Sequence, residues 1–149
     1  MTMLVQLIYT SSYEGSIGLE QARDIARKAG VANEQNGVTG LLMFGHGHFL
    51  QVLEGSTDAV NETYQRIAKD PRHRRLRLLS YREVGARDFA AWHMQHVDAS
   101  SIGAVHLQRH GLVEHFEPSR LRASQALGLL RFAARSIEIK TASSTVNAA

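Results

Sequence analysis

The chain has 149 residues, 44% hydrophobic and 21% charged, with a formal net charge of +3. That is enough apolar material for one domain of ordinary size with a real core. The absence of cysteine excludes disulfides and thiolate chemistry.

The segment Met1–Leu7 lacks the basic region and cleavage site of a secretory signal. No apolar run reaches bilayer length, so a cytoplasmic location is expected. Met3 to Thr10 reads as a first strand. Val5, Leu7 and Tyr9 share one face, and Leu4 and Ile8 share the other with Gln6 between them. Both faces are mainly apolar, so the strand is central. Ser11 to Ser16 is a loop by composition. Leu19, Ala22, Ile25, Ala26 and Ala29 recur at helical spacing and predict a helix to about Asn33. Asn36-Gly37 is a turn signal, and Val38 to Phe44 is a second strand.

Gly45-His46-Gly47 is a tight hairpin connection into a third strand, His48 to Leu53. There Phe49, Gln51 and Leu53 alternate with Leu50 and Val52, so both faces are buried. Gln51 is a primary amide in the middle of an apolar strand. Leaving its polar atoms unpartnered costs about 1–3 kcal/mol, so it must have bonding partners.

Ser56 suits a helix N-cap, with Asp58 favourable in the first turn. Val60, Tyr64 and Ile67 give the apolar stripe of a helix to Lys69, which Asp70-Pro71 stops. Leu76 to Glu83 is a fourth strand, Gly85 to Asp88 a loop, and Ala91 to Val97 a fifth strand. Ser101 to Leu112 predicts a short helix. Pro118 suits the first position of a longer one, with Leu121, Ala126, Leu129, Leu130 and Ala133 on its apolar side through about Ile137. The small, polar segment Ala142–Ala149 is expected to fray.

The order is α+β, a ferredoxin-like βαββαββ pattern with a five-stranded mixed sheet, two helices on one face and a C-terminal helical extension. Strands one and three are expected to be parallel neighbours. Tyr9 and Gln51 then lie on adjacent central strands, under the helices. Residues 1–98 form the sheet domain, 99–141 a two-helix extension on the sheet's free face or on a partner chain, and 142–149 a flexible tail.

Other chemistries find little support. Arg72-His73-Arg74-Arg75-Leu76-Arg77 has the charge for phosphate contacts. No aromatic residues interleave with its arginines and no recognition helix is visible, so it reads as a solvated helix end and the start of a charged edge strand. The chain is not expected to bind nucleic acid. His46 and His48 flank a glycine, and His93 and His96 fall on opposite faces of a strand, so neither pair closes a metal ligand set. No nucleophile–base pair stands out, and the chain is not expected to be an enzyme.

The chain resembles the BLUF domain, a flavin-binding blue-light sensor. The residues that carry the resemblance are Leu7-Ile8-Tyr9-Thr10-Ser11, Asn33, Asn36-Gly37-Val38-Thr39-Gly40-Leu41-Leu42 and Phe49-Leu50-Gln51-Val52-Leu53-Glu54-Gly55. Val60-Asn61-Glu62-Thr63-Tyr64, Asp70-Pro71-Arg72-His73, Phe89 and Trp92-His93-Met94-Gln95 continue in order. The resemblance covers residues 3 to about 98, and the helical tail is similar to that of short, stand-alone members.

The resemblance implies a noncovalent flavin, FAD with FMN or riboflavin as possible substitutes, held between the two helices over the sheet. It implies that Tyr9 gives an electron and a proton to the photoexcited flavin and that Gln51 bridges Tyr9 and the flavin edge. It further implies that Asn33 bonds the ring's carbonyl and NH side, and that Trp92 and Met94 are a fifth-strand pair carrying the signal outward. Ile25 and Phe49 match apolar ring contacts, and Arg66, Asp70 and His73 match flavin-side positions. Arg66 and Asp70 are also spaced for a plain helix-surface ion pair. Ala32 departs from the family, where many members carry a polar side chain. The output is expected to pass to an unidentified protein partner or a homo-oligomer. The alternative is a light-independent ferredoxin-like interaction or small-molecule sensing domain, against which the intact Tyr9, Asn33 and Gln51 set argues.

Overall fold

Five strands form one mixed sheet in the order β4-β1-β3-β2-β5. They are β1 (Leu4–Ser12), β2 (Thr39–Gly45), β3 (His48–Ser56), β4 (Arg74–Glu83) and β5 (Gln95–Asp98). A computed structural model of the chain describes residues 3–13, 19–113 and 115–148, with side chains described to Thr141. Seven consecutive residues of β1 and seven of β3 are buried. This double-faced burial makes these two strands the centre of the sheet. Of the loop expected at Ser11–Ser16, residues 11 and 12 extend β1, while residues 14–16 lie outside the described residues.

The pairing of β1 and β3 is antiparallel, not parallel as the order of elements suggested. The reason lies in the hairpin. His46 (φ 48°) and Gly47 (φ 80°) are both left-handed, as the two central residues of a type I′ turn must be. The turn sends β3 back antiparallel to β2. The helix α1 (Leu19–Asn36) joins β1 to β2, which are parallel but not adjacent, and β3 fills the gap between them. The β2–β5 pair is parallel.

One face carries α1 and α2 (Thr57–Lys69), packed over Val5, Leu7, Tyr9, Leu42, Phe44, Phe49 and Leu53. The α1 helix runs three residues past its expected end, through Gly30. The α2 helix starts as expected: the Ser56 hydroxyl accepts the Ala59 N–H at 3.2 Å. It ends at Lys69, before Asp70-Pro71. The β4 strand begins two residues earlier than expected and forms an exposed edge.

The opposite face carries the C-terminal segment. A 3₁₀ turn (Ala99–Ser101) and a short α3 (Ala104–Arg109) replace the single helix expected over Ser101–Leu112. Gly103, which precedes α3, divides them. Pro118 opens a 3₁₀ turn rather than the long helix, and α4 begins at Ala123 and runs to Ala148. The backbone is therefore helical where fraying was expected. Leu121, Ala126, Leu129, Leu130 and Ala133 pack against Ile8, Leu41, Met43, Leu50 and Val52. The extension thus covers the sheet's second face.

Leu129 is fully buried at the centre of that contact. Leu129→Ala is expected to lower stability by about 2–5 kcal/mol in urea denaturation. A loss below about 1 kcal/mol would mean that α4 does not close the core.

Candidate functional site

Tyr9 and Gln51 are direct cross-strand partners on β1 and β3. Antiparallel partners point to the same face with their Cβ atoms about 5 Å apart, so a phenol and an amide can meet without either backbone bending. The Tyr9 hydroxyl donates to Gln51 Oε1. The other end of the amide, Nε2, donates to Met94 Sδ at 3.1 Å. This answers what the buried amide bonds to: a donor on one side and a thioether, itself a weak acceptor, on the other.

Burial pushes the Tyr9 hydroxyl far above its ordinary pKa, and Tyr64 and the Asp70 carboxylate push the same way. Tyr9 therefore stays a neutral phenol throughout the physiological range. The Tyr64 ring meets it edge-on at 5.6 Å, and the His73 ring at 6.2 Å.

A cleft of about 210 Å³ opens beside Gln51, between α1 and α2. Its apolar lining comes from Ile25, Ala29, Ala32, Leu42 and Ile67. The amides of Asn33 and Gln51 and the Thr63 hydroxyl supply buried polar groups. Lys28, Arg66 and Arg72 line it and are exposed to solvent. Apolar walls, buried amides and an exposed cationic rim fit a flavin, a planar ring with polar edges and, in FMN and FAD, a phosphate-bearing tail.

The predicted residues distribute around this cleft unevenly. Ile25, Asn33, Gln51, Arg66, Asp70 and His73 all line it. Phe49 is fully buried behind them, against Tyr13 at 4.8 Å and His73 at 5.0 Å between ring centroids. Asn33 donates from Nδ2 to the His93 carbonyl at 2.9 Å. Arg66 and Asp70 do not pair with each other. Asp70 lies just beyond the end of α2 and takes the Arg72 guanidinium, while Arg66 bonds Thr63 Oγ1 at 3.3 Å.

Trp92 and Met94 are not a strand pair. The ladder to β5 begins at Leu41↔Gln95, so both precede the strand. Gly40 N–H donates to the Trp92 carbonyl at 3.0 Å, and Asn33 holds the His93 carbonyl. Met94 packs with the clusters under α1 and α2, whereas Trp92 packs on the α4 side of the sheet. Gly40 permits this passage: a Cβ there would lie 2.0 Å from the Val52 carbonyl oxygen and 3.1 Å from Met94 Cε.

Sequence reasoning missed several lining residues, among them Lys28, Thr63 and Arg72. It also missed Ser11, whose hydroxyl lies 2.9 Å from His73 Nδ1. Arg72 had a readable signal, since Asp70-Pro71-Arg72 folds back on itself directly after a helix stop.

The fold and site define an α+β domain built around a hydrogen-bonded tyrosine–glutamine pair at the wall of a cleft. Residues 4–95, more than half of the chain, match the family described as sensors of blue light using FAD, and the chain belongs to that BLUF family. It is 33% identical over 101 residues to the photoactivated adenylate cyclase subunit alpha of Euglena gracilis, covering 65% of this chain and 10% of that protein. The chain thus spans about a tenth of that relative's length. Among solved structures it is similar to the photo-activated state of BlsA, with a TM-score of 0.80 and 27% identity over 89% of this chain and 95% of that one. It is also similar to dark-state BlrB, a BLUF protein, with a TM-score of 0.74 and 29% identity over 91% and 98% of the two chains. The chain is a BLUF blue-light sensor, and the family binds flavin. Among the described residues, no helix is long and apolar enough to cross a membrane.

His73 provides a test of the cleft's electrostatics. Burial holds its imidazole below the ordinary histidine range, with Asp70 opposing and Arg72 adding to the shift. A histidine depressed in the folded state leaves stability intact above its unfolded pKa of about 6.5 and costs stability as pH falls below it. The thermal midpoint is expected to drop from pH 7 to pH 5, and His73→Asn is expected to drop less. An equal drop in both proteins would contradict a buried neutral imidazole.

Proposed function

We propose that Tyr9, Gln51 and Met94 are the light switch of this sensor, operating on a flavin held between α1 and α2. The observation that carries this reading is the continuous chain from the Tyr9 hydroxyl through both ends of the Gln51 amide to Met94, alongside the cleft. When bound, the flavin supplies blue-light absorption and an excited state able to accept an electron and a proton. Tyr9 would be the donor of both: its phenol is neutral and its hydroxyl already donates to the Gln51 carbonyl, which lines the cleft. Asn33, Ile25, Arg66, Asp70 and His73, with Phe49 packed behind them, would hold or bound the ring and its tail. FAD is the proposed native form, supported by the family's description. The cationic rim of Lys28, Arg66 and Arg72 suits its phosphates. FMN or riboflavin would present the same ring.

The output follows from the asymmetry of the amide. Gln51 now turns a carbonyl toward Tyr9 and an NH2 toward Met94. Rotation would put the carbonyl against the Met94 sulfur, and a thioether has no proton to donate. The Gln51–Met94 contact would then break, while Tyr9 would accept from the NH2 rather than donate. Met94 and Trp92 would carry that change away from the cleft. We further propose that residues 1–98 are the photosensory unit and 99–141 its output element. This output would act on a downstream protein or a second copy of the chain, in the cytoplasm.

Tyr9→Phe is expected to keep bound flavin and lose the reversible blue-light red shift of its absorption band. Gln51→Leu is expected to do the same, because leucine relays no hydrogen bond. A normal photocycle in either variant would refute the switch. A purified chain that takes up no flavin would refute the cleft.

A further inference from the structure

The sheet separates the flavin-side cleft from α4, and residues 88–94 pass from one face to the other. Phe89 is 1% exposed within the α4-side core, and Trp92 packs on the same side. Met94 lies on the cleft side, against Gln51. Both ends of this segment are bonded to β3. At one end Gln51 Nε2 donates to Met94 Sδ. At the other, the fully buried Glu54 carboxylate accepts the backbone N–H of Phe89 at 2.7 Å and of Asp88 at 3.0 Å.

Glu54 lies three residues from Gln51, so the two side chains point to opposite faces of one strand. It also accepts Gln6 Nε2 at 2.8 Å. The preceding residue, Arg87, is fixed to the Gly37 carbonyl, Thr39 Oγ1 and the Glu54 carbonyl. These bonds leave the Asp88 carboxylate facing α4. There Arg131 donates to its Oδ2 from Nη2 at 2.7 Å and from Nε at 3.2 Å, and Gln6 Nε2 donates to the same oxygen at 3.2 Å.

We propose that the Asp88–Arg131 pair is the contact through which residues 88–94 set the position of α4, with Glu54 as the segment's foot on the central strand. This rests on the Gln51–Met94 switch proposed above. In the dark form Gln51 holds Met94, the segment is fixed at both ends, and Arg131 anchors α4 to it. When Gln51 releases Met94, residues 89–94 lose one of their two attachments to β3. The shift reaches Asp88 through Phe89, because both backbone N–H groups share the Glu54 carboxylate. The ion pair then loosens, and α4 loses a polar anchor while keeping its apolar packing. Asp88 and Arg131 are positioning residues, since neither touches the cleft.

The test is amide hydrogen exchange of α4 in the flavin-loaded full chain, dark and under blue light, with the absorption red shift recorded on the same samples. Wild type is expected to exchange at least threefold faster around Arg131 in the light. Arg131→Gln is expected to keep the full red shift, to exchange in the dark at the wild-type light rate, and to show no further light effect. Arg131→Lys retains a donor for Asp88 and is expected to keep the light–dark difference. A full red shift with unchanged α4 exchange in wild type would overturn this coupling alone. So would a preserved light–dark difference in Arg131→Gln or a lost one in Arg131→Lys. Bound flavin with no red shift in wild type would remove the switch and this coupling together.

Discussion

The antiparallel register that sets Tyr9 opposite Gln51 is the constraint on which the rest depends. Directly opposed residues on one sheet face are the closest non-local neighbours a backbone provides. A phenol and an amide placed there meet in a fixed geometry, with little side-chain freedom left to either. The surroundings reinforce this: Tyr9 and Gln51 are 0% and 4% exposed, so water cannot replace either partner. A buried amide whose partners are one strong donor and one weak acceptor is held unevenly. The weak contact, to Met94, is the one that can be exchanged at small cost.

That unevenness gives the sheet two working faces. On one, α1 and α2 leave a cleft whose walls are largely apolar and whose buried polar groups include the amides of Asn33 and Gln51. On the other, α4 completes a core with Leu129 and Leu130 at its centre. A sheet packed on both faces resists bending, because interiors are close-packed and transmit displacement rather than absorb it. Its edge is different. Residues 88–94 are held by hydrogen bonds to Gln6, Asn33, Val38, Gly40, Gln51, Glu54 and Arg131, and not by a ladder. On the proposed switch, a change at Gln51 would reach the other face along this segment.

Most of this fold was legible in the chain because burial imposes periodicity. Alternation in β1 and β3 marked both as central, and Gln51 was conspicuous as a polar interruption. The Ser56 cap and the Asp70-Pro71 stop fixed α2. The strand directions were not legible from the order of elements alone, since they follow from β3 inserting between β1 and β2. The start of β5 was misplaced for a physical reason. Trp92 and Met94 are spaced like residues on one strand face, but the carbonyls of Trp92 and His93 are taken by Gly40 N–H and the Asn33 side chain. Glu54 and Asp88 carried no spacing signal. Their partners are backbone groups and a guanidinium more than thirty residues away, which only the folded topology brings together.

The central claim is that the Gln51 amide changes its hydrogen bonding in the light. Light-minus-dark infrared spectroscopy of the flavin-loaded protein, with and without 13C-labelled glutamine side chains, measures this directly. The account predicts paired amide carbonyl bands that shift with the label in wild type and vanish in Gln51→Leu. A difference spectrum with no label-sensitive band, recorded from a sample showing its full red shift, would contradict it.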